Sequence, residues 1–147
     1  MASQLGLNCH IFRNTGTFGA PVWVAFDNVV DVKLNLDMDE AEASTRAMAG
    51  WAAAEPALLK ASVEFSSVWD HSDAGIIILV AAFTGRTQLD LAVMDGASSG
   101  AGSQGLRAVC KIFKMDRGEP LNGLTMVEWE VKPCYDPTNP PTWATFT

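Results

Sequence analysis

The stretch VDVKLNLDM, Val30 to Met38, alternates without a break. Val30, Val32, Leu34, Leu36 and Met38 fall on one side, and Asp31, Lys33, Asn35 and Asp37 on the other. Successive side chains of a strand point to opposite faces, so this is a strand with one face buried and one wet. A wet face belongs to an antiparallel sheet, because parallel sheets are covered on both sides by their crossover helices. The same period recurs further along. Leu59, Ala61, Val63, Phe65 and Ser67 stand opposite Leu58, Lys60, Ser62, Glu64 and Ser66, and Leu89, Leu91 and Val93 face inward within Thr87 to Met94. Val127, Trp129 and Val131 alternate with Glu128, Glu130 and Lys132. Leu106 to Lys114 (LRAVCKIFK) is rich in β-branched and aromatic residues and reads as the partner of that last strand, with MDRGEPLNG as the hairpin connection. Asn8 to Arg13 and Pro21 to Phe26 flank the turn-rich NTGTFGA and read as an N-terminal hairpin.

One stretch departs from this period. HSDAGIIILVAAFTG, from His71, offers Ser72 or Asp73 as N-cap and Gly85 as C-cap, with Ile76, Leu79, Val80 and Phe83 at helical spacing. It reads as a short, nearly all-apolar helix, with a buried strand as the alternative; such a helix is buried on several sides or meets a partner. Asp39 to Glu55 (DEAEASTRAMAGWAAAE) has no period and reads either as a helix or as a long excursion from the body. Connections beyond about 12 to 15 residues are uncommon in compact domains and are often functional. Pro133 to Thr147, with four prolines, is an extended tail that packs on something or stays mobile.

The chain of 147 residues suits one mainly β domain with a single core. Its net charge of -7 argues against binding a phosphate backbone as the main activity. Six acids, Asp27, Asp31, Asp37, Asp39, Glu40 and Glu42, stand against Lys33 alone between residues 27 and 42. A charged share of 18% is low beside the roughly 25% typical of soluble domains, which points to surface shared with neighbours. The longest apolar run, Gly75 to Phe83, is less than half of the ~20 residues a membrane span needs, and no basic region precedes the apolar residues of the N-terminus. Neither a transmembrane helix nor a secretory signal is expected. Cys9, Cys110 and Cys134 lack metal-ligand spacing and read as free thiols of a reducing compartment.

No chemistry assembles from the remaining motifs. Gly100 to Gly105 (GAGSQG) matches the dinucleotide fingerprint in letters, but the residues after it, LRAVCKIF, alternate like a strand instead of opening a helix, so a Gly/Ser hairpin loop is expected. His10 and His71 are isolated, and the acidic run lacks the glycine and terminal glutamate of a calcium loop. No catalytic residue, metal site or cofactor is expected. Of the five tryptophans, only Trp129 lies in an alternating strand that predicts inward packing; Trp51 in the excursion and Trp143 in the tail either anchor another chain or pack back on their own domain.

The order of elements carries more than any motif. An N-terminal hairpin and an alternating strand lead to a long loop with Thr45-Arg46 and Gly50-Trp51. A second strand, a short helix ending in Ala82-Phe83, a strand closing on Asp95-Gly96, a Gly-rich loop and a final hairpin with Pro133 complete it. This order resembles the major tail protein family of long-tailed bacteriophages, the tail tube subunits, which are similar to the tubes of contractile tails and of type VI secretion. The resemblance implies an antiparallel β-barrel or sandwich with one flanking helix, assembling into hexameric rings that stack into a hollow tube. It implies a non-enzymatic protein of the virion tail, assembled in the host bacterial cytoplasm. Its partners would be itself and other tail proteins such as tape measure and terminator, with DNA as transported cargo only and no membrane. Residues 39–55, with Asp39, Thr45, Arg46 and Trp51, would then reach adjacent subunits. Wet-face residues Asp31, Asn35 and Asp37 would line an acidic lumen that repels phosphates. The rival reading is a monomeric β-barrel that holds a small apolar ligand under residues 39–55 as a lid. An enzyme using paired carboxylates ranks third, since no pair can be placed.

Overall fold

A computed structural model describes residues 5–97 and 102–146. In chain order the strands are β1 His10–Asn14, β2 Trp23–Ala25, β3 Val29–Glu42 and β4 Ala54–Val68, then helix α1 Ala74–Gly85, then β5 Leu89–Met94, β6 Gln104–Gly118, β7 Met126–Pro133 and β8 Thr142–Thr145. They form one sheet in the order β2-β1-β5-β6-β7-β4-β3, with β8 paired to β6. Every pairing is antiparallel. The path ends on β2 and β3, which do not pair among the described residues, so of the two forms expected the open sandwich holds and the closed barrel does not.

β6 is the strand on which the molecule turns. Gly105 to Cys110 pair with β5, while Cys110 to Gly118 pair with β7, so its two parts serve two halves of the sheet. A register shift between Ile112 and Lys114 leaves Phe113 outside the ladder, as at a bulge, where strands bend. The β1–β5 half folds over the β6–β7–β4–β3 half, and α1 helps to cover it. Their shared core draws Ile11 from β1, Leu91 from β5, Phe65 from β4, Trp129 from β7 and Leu79 from α1. Phe26, Phe65 and Trp129 stack in sequence at 6.3 and 6.4 Å. The indole of Trp129 donates to Ser67 Oγ at 2.9 Å, which satisfies a hydroxyl that is itself buried. A second, smaller cluster lies on the other face of β1 and β5, where Phe12, Ala92 and Met94 meet Trp23 and Phe146. β5 is therefore covered on both faces, more than its inward set of Leu89, Leu91 and Val93 predicts.

The helix forms over the expected residues, with two refinements. Asp73 is the N-cap and accepts from the Ile76 amide at 3.1 Å. The left-handed cap is Arg86 at φ 54°, and Gly85 is the last helical residue, so the expected glycine cap falls one position early. Ile76 and Leu79 are buried, and Val80 and Phe83 pack against the core from its rim.

The long alternating strands outrun the core. Val30 sits at a register break between Val29 and Asp31 and is exposed, while Leu36, Met38 and Leu59 lie past the last core layer and are also open. Gly105 explains part of the GAGSQG motif: a Cβ there would collide with the Val93 carbonyl of β5, so the residue permits close strand approach. Gly100 and Ala101 lie outside the described residues.

Candidate assembly surfaces

The face of β3, β4, β7 and the second part of β6 that turns away from the core is polar, and the pairing register orders it in rows. Asp31, Ser66, Glu128 and Asp116 form the row furthest from the β3–β4 turn. Lys33, Glu64, Glu130 and Lys114 form the next. Asn35 then faces Ser62 and Lys132 faces Lys111, and Asp37 faces Lys60. The expected wall residues Asp31, Asn35 and Asp37 thus do share one face. Asn35 Nδ2 donates to Ser62 Oγ at 3.4 Å, and Asp37 accepts from the Met38 amide at 2.8 Å. Of the acidic run, Asp39 pairs with Lys60 of the neighbouring strand and Asp37 faces the same lysine, while the other pairs lie within β6 and β7. Lys114 pairs with Asp116 at 3.1 Å, Lys132 with Glu130 at 3.3 Å and Lys60 with Asp39 at 2.9 Å. The hydrogen bond from Lys114 to Asp116, then the charge of that carboxylate, raises the Lys114 pKa; Asp39 does the same for Lys60. These exposed pairs add little stability, but each occupies a cation that could otherwise hold a phosphate.

The same four strands end in two open edges. β3 has β4 on one side and, among the described residues, no strand on the other along its 14 residues. Beyond Cys110, β6 pairs with β7 alone among the described residues, so its β5 side is open. Long open edges are templates for pairing with another chain unless something blunts them.

Residues 39–55 resolve into the end of a two-stranded arm. Asp39 to Glu42 continue β3 and Ala54 and Glu55 begin β4, and the connection between them is 43–53. From Leu36 to Glu42 the arm extends about 23 Å at roughly 3.3 Å per residue. A bulge kinks it, for Met38 pairs with Leu59 and Glu40 with Pro56, setting Asp39 against two residues. At the tip, Arg46–Met48 form a single 3-10 turn after Thr45, and left-handed Ala49 (φ 51°) and Gly50 (φ 89°) reverse the chain. The Ala43 amide donates to the Ala53 carbonyl at 2.9 Å and closes the base. Thr45, Arg46, Gly50 and Trp51 line one shallow depression, and Trp51 is 77% exposed. Leu58, Leu59 and Met48 of the arm are likewise uncovered by the described residues of the subunit.

The tail docks. Trp143 of β8 lies over the start of β6 and donates to Gln104 Oε1 at 3.2 Å, and Phe146 packs edge-on to Phe12. One site has no counterpart among the sequence expectations. Arg107 donates to both carboxylate oxygens of Asp90, at 2.7 and 3.3 Å, and to the Phe18 carbonyl at 2.9 Å, with the Phe18 ring 3.8 Å beneath its guanidinium. Asn14 also donates to Asp90 at 2.9 Å. This pair pins the β1–β2 loop to the sheet. In sequence Arg107 is one polar residue in an alternating strand, and only the pairing of β5 with β6 sets Asp90 beside it.

Neither a family model nor a curated protein matches the chain. Solved structures do. A chain of the SPP1 tail tube aligns with TM-score 0.70 at 11% identity over 88% of this chain and 75% of its own. The chain has a tail tube fold. A chain from the tail of an empty gene transfer agent particle, solved with C6 symmetry, aligns with TM-score 0.72 at 13% identity over 99% and 100%. A chain of the six-fold symmetrised anti-feeding prophage baseplate aligns with TM-score 0.52 at 8% identity over 91% and 90%. The tail tube fold therefore spans nearly the whole chain, arm and docked tail included, at identities where sequence comparison is silent.

Proposed function

We propose that this protein is a structural subunit of a phage or prophage tail tube, forming closed rings that stack into a hollow tube. One observation carries the reading: the four-stranded half has two long open edges on opposite sides, β3 and the second part of β6. Because the strands alternate in direction and are even in number, β3 of one copy meets β6 of the next antiparallel. Each junction then extends the same ladder. Repeated head to tail, such a contact closes into a ring. The C6 and six-fold symmetries of the structural neighbours support six copies.

In that ring the core and α1 lie outside the wall, so the polar face with Asp31, Asn35 and Asp37 lines the lumen. Its carboxylates repel phosphates, and its lysines are largely tied to acids, so DNA slides past without a strong hold. The arm, with Asp39, Thr45, Arg46 and Trp51, reaches adjacent subunits and covers its exposed apolar side chains there. Tape measure and terminator proteins are the further partners, the tail of a virion is the place of work, and no step of catalysis is assigned. The rival, a monomeric ligand-binding barrel, is disfavoured by a sheet that stays open and by an arm whose tip stands away from the core.

Size-exclusion chromatography with negative-stain microscopy tests this. Rings or tubes of uniform width are expected; a strict monomer at every concentration and salt overturns it.

A further inference from the structure

The wall has two unlike poles. At one, β6 turns into β7 through residues 119–125, and this turn presents Leu121 at 98% exposure and Leu124 at 68%. At the other, β7 stops at Pro133 while β3 and β4 run on into the arm, and β8 takes the place of β7 beside β6. The step leaves a cleft of about 750 Å3 between β4 and the docked tail. Leu36, Leu59, Leu106 and Trp143 supply its apolar lining.

We propose that the β6–β7 turn of one copy seats in this cleft of a second copy in the next ring, as the axial contact of the tube. The proposal rests on the tail tube reading and adds which surfaces stack. Two observations select a second copy as the occupant. The leucines and the cleft sit at opposite ends of the same four strands, which is where a head-to-tail contact that never closes must place its two halves. The cleft is also bordered by strand edges with no partner among the described residues, β4 before Ser62 and the outer side of β8, so an entering turn finds amides and carbonyls as well as apolar surface.

The test places a photo-crosslinking amino acid at Leu121 of the full chain and maps its products by mass spectrometry on assembled material. Crosslinks between copies to residues 59–62 or 132–143 are expected. Tubes whose crosslinks fall elsewhere overturn the proposal and leave the tail tube reading standing. Failure of the unmodified chain to form rings or tubes at all removes that reading and this contact with it. A second variant, Leu121→Asp with Leu124→Asp, alters only exposed side chains, so its melting temperature should match the parent. It should give single rings and short stacks where the parent gives tubes, and tubes of parental length would overturn the contact.

Discussion

Arg86 holds φ 54° at the end of α1, a conformation that costs a residue with a Cβ about 1 kcal/mol. The capping bond there runs from its backbone amide to the Ala82 carbonyl and needs no side chain. Arg86→Gly should therefore raise stability by about 0.5 to 1 kcal/mol, read as a higher melting temperature. The opposite replacement logic applies to Trp129. Its ring fills the stack with Phe65 and its N–H serves Ser67, so Trp129→Ala should cost about 3 to 5 kcal/mol. Burial pushes the Cys110 thiol up to about 12. A thiol raised in the fold stabilises it fully below the unfolded value near 9 and loses that contribution as pH rises toward 12, because the unfolded chain gives up its proton first. Urea midpoints should therefore fall between pH 9 and 12, and fall less in Cys110→Ala. In the folded protein at pH 8, Cys9 and Cys134 should react with a thiol reagent well before Cys110.

Elements were legible where a period of two persists against a core. Val127, Trp129 and Val131 are buried as their alternation predicts, and so are Val63, Phe65 and Ser67. What alternation cannot show is where a core ends. Leu36, Met38 and Leu59 keep the pattern but lie beyond it, because the sheet is longer than the layers that cover it. The arm was opaque for a related reason: among the described residues its strands pair only with each other, so no burial imposes a period on Asp39 to Glu42. The polar face was legible only by halves, since Asp31, Asn35 and Asp37 share a strand, whereas Ser66, Ser62 and Lys60 opposite them arrive through register. A test at this scale replaces Ser44 to Ala52 by Asn-Gly, a two-residue turn suited to join Ala43 to Ala53. The shortened chain should melt within about 2 °C of the parent, since few buried contacts are removed, and should fail to form tubes in negative stain.

For the whole molecule, the decisive quantity is the balance of charge on the polar face that the proposed tube turns to its lumen. Wild-type tubes should retain little labelled oligonucleotide at any salt. Glu64→Lys with Glu128→Lys changes two exposed acids of that face in every copy and should leave the subunit folded. Assembled tubes of this variant should hold the oligonucleotide at low salt and release it steeply as salt rises, because bound phosphates displace counterions. Unchanged retention would show that this face is covered in the tube and meets no oligonucleotide.

A single strand, β6, runs from its pairing with β5 into its pairing with β7, with a register break at Phe113. In the proposed tube, the inner lining cannot slip against the outer shell, because β6 stitches the two in every copy. Curvature of the filament must then be taken up in the gaps between successive rings, and hydrogen exchange under bending load should quicken there while the amides of β6 stay protected.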